Sequence, residues 1–234
     1  MSNSPKNALV VGVGPGLGSA AARRLAADGY RVALAARGVD KLADIAKETG
    51  GIAVAMDATD PASVEAGITE VEAALGDIHT VVWNVGGGGF GDLEQVDVGA
   101  LELAFDTNAR GLFVLAKRLL PAMAGRGDGA LIITGATASL RGKPFTTAFA
   151  AGKAAQRSLA QSLARKYGKL GVHVALIIVD GMVDLPSTRQ RMPDVPGAAF
   201  LSPDGYADAM SFLLHQRRSA WTFKLDIRPH VEDW

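Results

Sequence analysis

Four glycines at alternate positions, Gly12, Gly14, Gly16 and Gly18, follow the apolar run 8–11 and lead into an alanine-rich stretch with helical spacing. A strand, a tight glycine turn and a helix start in that order form an anion cradle. Bare backbone lets a phosphate come close, and the first helical N–H groups and the helix dipole point at it. The common GxGxxG fingerprint does not fit, because its last position falls on Leu17 or Ser19. GxxxGxG does fit, as Gly12, Gly16 and Gly18. The chemistry predicted here is dinucleotide binding, with Pro15 and Leu17 inside the same turn.

A second group sits where the next strand ends. An acidic residue about 20 positions after the glycines would hold the adenosine ribose diol. Here that position is Ala36, followed by Arg37. Alanine cannot hold a diol, whereas an arginine fork pairs well with a phosphate dianion. NADP(H) is therefore expected in preference to NAD(H). The four histidines, His79, His173, His215 and His230, show no metal spacing, and no metal is expected.

The elements that must position these groups alternate along the chain. Strands are predicted at 8–11, 31–36, 52–56, 79–83, 130–135, 172–179 and 221–227. Helices are predicted between them, with Asp60 and Pro61 opening one and Ser202 and Pro203 another. Asp28 and Gly29 should close the first helix. The long helical stretch 98–123 should stop or kink near Pro121, and a second long helix is predicted over 145–167. This alternation implies right-handed βαβ units and an α/β fold: a doubly wound, seven-stranded parallel sheet with helices on both faces. No linker or repeat divides residues 1–234, so a single domain is expected. Residues 182–200 carry Pro186, Pro193 and Pro196 without periodicity, and are read as a substrate lid at the carboxyl edge of the sheet.

Composition narrows the function classes. At 234 residues the chain can bury one α/β core. Twenty-four basic and twenty-four acidic side chains cancel, so neither nucleic acid nor an anionic membrane is an expected partner. The absence of cysteine removes disulfides and thiolate nucleophiles and fits a reducing compartment. The N-terminus does not read as a signal peptide, and no apolar run is long enough to span a membrane. A cytoplasmic location is expected.

With these residues in view, the chain resembles the short-chain dehydrogenase/reductase family, single-domain Rossmann oxidoreductases, over essentially its full length. The stretch from Gly12 to Gly18 matches that family's glycine motif, with Val11 where threonine is usual. The resemblance implies that Asp57, with Ala58 beside it, meets the adenine. Asn84, Val85 and Gly86 resemble the family's Asn-Ala-Gly motif, with Trp83 in place of the asparagine before it. Asn108 matches a mid-helix asparagine that kinks the long helix and holds a proton-relay water. Lys153 matches the lysine of YxxxK, which bonds the nicotinamide ribose. Gly181 and Val183 fall where the backbone meets the nicotinamide carboxamide, with Asp180 replacing the family's proline.

Two departures change the implied chemistry. The family's tyrosine position holds Phe149, and its serine position holds Ala136. The phenol would protonate the substrate oxygen as hydride arrives, helped by the lysine cation. General acid catalysis of this kind is worth about 10²–10⁴ in rate. Thr137, Ser139, Thr146, Thr147, Asp180, Asp184, Tyr206 and a water between Asn108 and Lys153 are candidate stand-ins. The enoyl-reductase spacing fails too, since it would place the tyrosine at Thr146. Two functions remain: an NADP(H) oxidoreductase with a non-standard proton donor, acting on a small carbonyl, alcohol or activated double bond, or a catalytically impaired NADP(H)-binding protein serving as redox sensor or oligomer partner. By resemblance the two long helices form a homodimer or homotetramer interface, which Trp234 and the last strand would complete. Arg189 and Arg191 in the lid could favour an acidic substrate.

Overall fold

Successive residues of a strand point to opposite faces of its sheet, and here both sets are apolar. In the computed structural model, which describes residues 5–233, this produces two cores. The elements along the chain are β1 Asn7–Val11, α1 Leu17–Ala27, β2 Arg31–Ala36, α2 Ala43–Thr49, β3 Ile52–Ala55, α3 Pro61–Leu75 and β4 Ile78–Trp83. They continue as α4 Val98–Phe105, α5 Gly111–Arg126, β5 Gly129–Ala136, α6 Thr147–Tyr167, β6 Val172–Val179, β7 Met182–Val183, α7 Pro186–Arg191, β8 Phe200–Leu201, α8 Pro203–Leu214 and β9 Lys224–Ile227. On one face Leu9, Val11, Val81, Trp83, Leu131 and Ile133 pack with residues of α3, α5 and α6. On the other, Ala8, Val10, Leu34, Val82 and Ile132 pack with residues of α1, α2 and α8.

The main sheet has seven strands, all parallel, in the order β3-β2-β1-β4-β5-β6-β9, as the alternating pattern predicts. The order reverses between β1 and β4, and such a switch point opens a crevice at the carboxyl ends of the strands. The predicted caps are present. Asp60 accepts from the Ala62 N–H at 3.0 Å and Ser202 from the Gly205 N–H at 3.3 Å. No helix among the described residues is long and apolar enough to cross a membrane.

Several boundaries differ from the sequence reading. The long helix neither stops nor breaks at Pro121, and α5 continues to Arg126. Pro121 and the residue four before it, Lys117, both lie on the exposed side, where water can serve the carbonyl that loses its N–H partner. The second long helix begins at Thr147 rather than 145, because the Thr146 hydroxyl is taken up in a turn with the backbone of Lys143. The last strand starts only at Lys224, since Trp221 is turned onto His173, with ring centroids 4.7 Å apart. Segment 182–200 is not irregular. β7 pairs with β8 in a small parallel sheet, and α7 lies between them. Residues 1–4 of the N-terminal stretch and Trp234 lie outside the described residues.

Candidate active site

The glycine turn owes its shape to close backbone approach. Gly12 has φ +87°, and a Cβ there would lie 2.7 Å from the carbonyl oxygen of Asn84. A Cβ on Gly18 would lie 2.7 Å from the carbonyl oxygen of Gly12, so α1 starts directly against the end of β1. The Asn84 amide donates to that same Gly12 oxygen at 2.9 Å, tying the end of β4 to the turn. Gly16 caps α1 without any side-chain hydrogen bond, and no acidic residue occupies its first turn. The helix start therefore keeps bare N–H groups and a positive dipole end.

A cavity of about 850 Å³ opens at this point. Gly12, Gly14, Pro15, Arg37, Asp57, Ala58, Asn84, Val85 and Gly86 all line it, so the residues predicted for the nucleotide come together. Gly16, Leu17 and Gly18 form the cap and first turn of α1 outside the lining, and Leu185 of the segment after β7 packs against Gly16. Asp57 accepts from the backbone N–H of Thr59 at 2.9 Å and from its hydroxyl at 2.8 Å. These bonds, with the charge of Arg37, hold its carboxyl below the usual range. Arg37 itself is exposed at the edge of the cavity. Lys41, also exposed, lines the same edge and went unnoticed in the sequence, where one lysine in a polar helix start carries no signal.

Asn108 and Lys153 lie outside the cavity lining, behind Gly86. Residues 106–110 form a π-helical turn between α4 and α5, the kind of helix irregularity that recurs at functional sites. It buries Asn108 completely. The Asn108 amide donates to the carbonyls of Ala104 at 2.8 Å and Gly87 at 3.0 Å, while its Oδ1 is buried without a partner. Lys153, only 4% exposed, donates to the carbonyls of Thr134 at 3.0 Å and Val85 at 3.3 Å and to Gln156 Oε1 at 3.1 Å. Burial pushes its pKa down to about 7. Gln156 was missed in the sequence, although its position three residues after Lys153 on one helix face could have found it.

Ala136 and Phe149 present no hydroxyl, and of the candidate stand-in side chains all but Ser139 already have partners. Thr137 donates to Asp180 at 2.5 Å, and Asp180 also faces Arg141 at 3.7 Å and Arg228 at 3.5 Å. Tyr206 is fully buried in the other core against Thr134 at 2.6 Å, and burial raises its pKa to about 12. The Thr147 hydroxyl donates to the Gly91 carbonyl, and Asp184 pairs with Arg189. Ser139 Oγ is buried without a partner. Phe90, 62% exposed, stacks on Phe149. Gly181 and Val183 lie beyond the end of β6, away from the cavity lining, with Gly181 against Pro229. Among the described residues no group of three or more His, Cys, Asp or Glu could hold a metal ion.

The model of the family described as short chain dehydrogenase matches residues 6–195. The chain belongs to the short-chain dehydrogenase family. Its oxidoreductase chemistry and nicotinamide cofactor follow from that membership. The 2-(S)-hydroxypropyl-CoM dehydrogenase 3 of Xanthobacter autotrophicus is 30% identical over 92% of each chain. A short-chain dehydrogenase structure from Rhodopseudomonas palustris superposes with TM-score 0.82 at 30% identity, covering 96% of this chain and 99% of that one. An alcohol dehydrogenase from Thermococcus sibiricus, complexed with 5-hydroxy-NADP, gives TM-score 0.87 at 27% identity, covering 98% and 99%.

Proposed function

We propose that this oxidoreductase uses NADP(H) in preference to NAD(H) and acts on a small carbonyl, alcohol or activated double bond with a non-standard proton donor. The observation that carries the cofactor preference is Arg37, exposed at the cavity edge next to an alanine that offers a ribose no carboxylate. The shape of the site fits the group. Bare N–H groups at α1 suit the pyrophosphate, Asp57 the adenine, and Arg37 with Lys41 a 2′-phosphate. When bound, the nicotinamide supplies a two-electron hydride transfer. The chain's own residues must orient the substrate, exclude water and deliver a proton.

Neither Ala136 nor Phe149 can perform the last task, and the hydroxyls of Thr137 and Tyr206 are engaged elsewhere. Residues 182–200 are read as a substrate lid within a single domain of residues 1–234, since Leu185 already reaches the glycine turn. Val98, Leu101, Phe105 and Phe113 expose apolar surface on α4 and α5, which supports a homodimer or homotetramer. A cytoplasmic setting is in keeping with this reading.

A second reading, a catalytically impaired NADP(H)-binding protein acting as redox sensor or oligomer partner, is favoured by the Phe90–Phe149 stack over the place where a phenol would work. One experiment separates the two: saturate the protein with NADPH and follow its oxidation across a panel of carbonyls and activated alkenes. Turnover of any member supports the enzyme. Tight binding with none supports the second reading, and no binding overturns both.

A further inference from the structure

Three acceptors surround the Lys153 ammonium, and an ammonium has three donors. Two of the acceptors are backbone carbonyls, of Thr134 and Val85, which can only accept. The third is the side-chain amide of Gln156, which carries an acceptor at one end and a donor at the other. Gln156 is completely buried, and its Nε2 has no hydrogen-bond partner. A buried, unserved amide donor is costly and calls for an explanation.

Protonation of the lysine supplies one. While Nζ is an ammonium, Gln156 Oε1 accepts its third hydrogen. As a neutral amine, Nζ has two hydrogens for the two carbonyls and a lone pair that needs a donor. A half-turn of the Gln156 amide presents Nε2–H to that lone pair and breaks no other bond, because Nε2 makes none. Glutamine is thus able to satisfy both protonation states, which neither a carboxylate nor an aliphatic side chain can do.

Asn108 supports the same assignment independently. Its Oδ1 is buried without a partner, and a Cβ on Gly86 would lie 2.8 Å from Lys153 Nζ and 3.6 Å from that oxygen. The bare α-carbon of Gly86 therefore leaves both groups facing one gap, and Gly86 also lines the cavity. We infer that Gln156 is the positioning residue of Lys153, bonding Nζ in both of its protonation states. The inference rests on the oxidoreductase reading above. Loss of a proton from Nζ, and its return from water, change only which end of the Gln156 amide faces the nitrogen. No electrons move at the lysine.

No charged group among the described residues faces Nζ from the elements packed around it. β5 contributes Thr134, the turn after β4 Val85 and Gly86, the π turn Asn108, and α6 Gln156. Asp106 of the π turn is paired with Arg110, and Asp180 after β6 is bound to Thr137 and faces Arg141 and Arg228. Burial alone acts on the ammonium, and it favours the neutral form.

The test is an NMR titration of the full chain carrying 13C-labelled lysine, without cofactor, with the Lys153 signal assigned by its loss in Lys153→Arg. The expected midpoint is about 7. Gln156→Glu should raise it by roughly one unit or more, since a carboxylate favours the adjacent ammonium, and Gln156→Leu should lower it. Should the leucine variant not fold, the glutamate variant decides alone. A wild-type midpoint near the ordinary lysine value of about 10.4, or one that Gln156→Glu leaves unmoved, overturns the inference. NADPH titration of the same sample reads the cofactor site separately. Binding with a midpoint near 10 overturns only the lysine assignment, whereas a neutral midpoint without binding overturns only the cofactor reading.

Discussion

The ring of Phe90 stacks on the ring of Phe149, with centroids 4.5 Å apart and planes 25° apart. The glycine-rich loop after β4 delivers Phe90 there, and its Gly89 carbonyl accepts the Phe149 N–H at 3.3 Å. The loop and the start of α6 are thereby fixed to each other around a position that holds a ring without a hydroxyl. Phe149→Tyr keeps the ring and adds the phenol, while Ala136→Ser restores a hydroxyl at the end of β5.

The double variant Ala136→Ser/Phe149→Tyr should increase reduction of simple carbonyls by about 10²–10⁴-fold, the usual worth of a general acid. NADPH oxidation on a carbonyl panel measures it. An unchanged rate would mean that these two positions do not address the reacting oxygen.

Gly18→Ala and Gly14→Ala should separate sharply. A Cβ on Gly18 meets backbone on two sides, Gly12 O at 2.7 Å and Val13 Cα at 2.8 Å, and backbone yields poorly. The expected loss of stability is about 1–3 kcal/mol. At Gly14 a Cβ meets nothing within 4 Å, so its change should stay within about 0.5 kcal/mol. Denaturant unfolding of the two variants checks the contrast.

Tyr206→Phe tests whether the buried phenol takes part in the reaction. It removes the 2.6 Å bond to Thr134 in the core shared with α8. Stability should fall by about 1–3 kcal/mol, as Thr134 Oγ1 loses its partner. kcat should remain within twofold of the parent, and a larger fall would return Tyr206 to the list of proton donors.

Lys153 makes stability depend on pH with a defined sign. Its folded pKa is lowered to about 7, and an unfolded lysine sits near 10.4. Between these values the unfolded chain binds one more proton, so stability rises with pH across that window, by up to about 1.4 kcal/mol per unit. Below pH 7 both states are protonated and this dependence vanishes. Lys153→Met should flatten the slope between pH 7.5 and 9.5, as read by urea unfolding at several pH values. An identical slope in the variant would contradict the buried, neutral lysine.

Much of this architecture was legible because it rests on local rules. The continuous apolar strands, the caps at Asp60 and Ser202, and the glycine turn each follow from residues adjacent in sequence. Pro121 misled because burial, not propensity, decided its cost: on an exposed side the freed carbonyl is left to water. Segment 182–200 carried no periodicity because its order comes from pairing of β7 with β8, which joins Met182 to Phe200 and Val183 to Leu201. The setting of Lys153 was hidden for a related reason. Two of its three acceptors are backbone carbonyls, of Val85 and Thr134, and main-chain atoms leave no mark in side-chain identity. The stack of Phe90 on Phe149 likewise joins residues far apart in the chain.

Arg37 and the cavity it borders carry the cofactor preference proposed above. Fluorescence titration of the purified protein with NADPH and with NADH, repeated on Arg37→Gln, tests it. Wild type should bind NADPH at least tenfold more tightly than NADH. Arg37→Gln should remove most of that difference, by weakening NADPH about tenfold or more, as expected for a lost charge-assisted bond worth about 1.5–3 kcal/mol. Equal affinity for the two cofactors in wild type, or an NADPH preference that survives loss of the guanidinium, would contradict it.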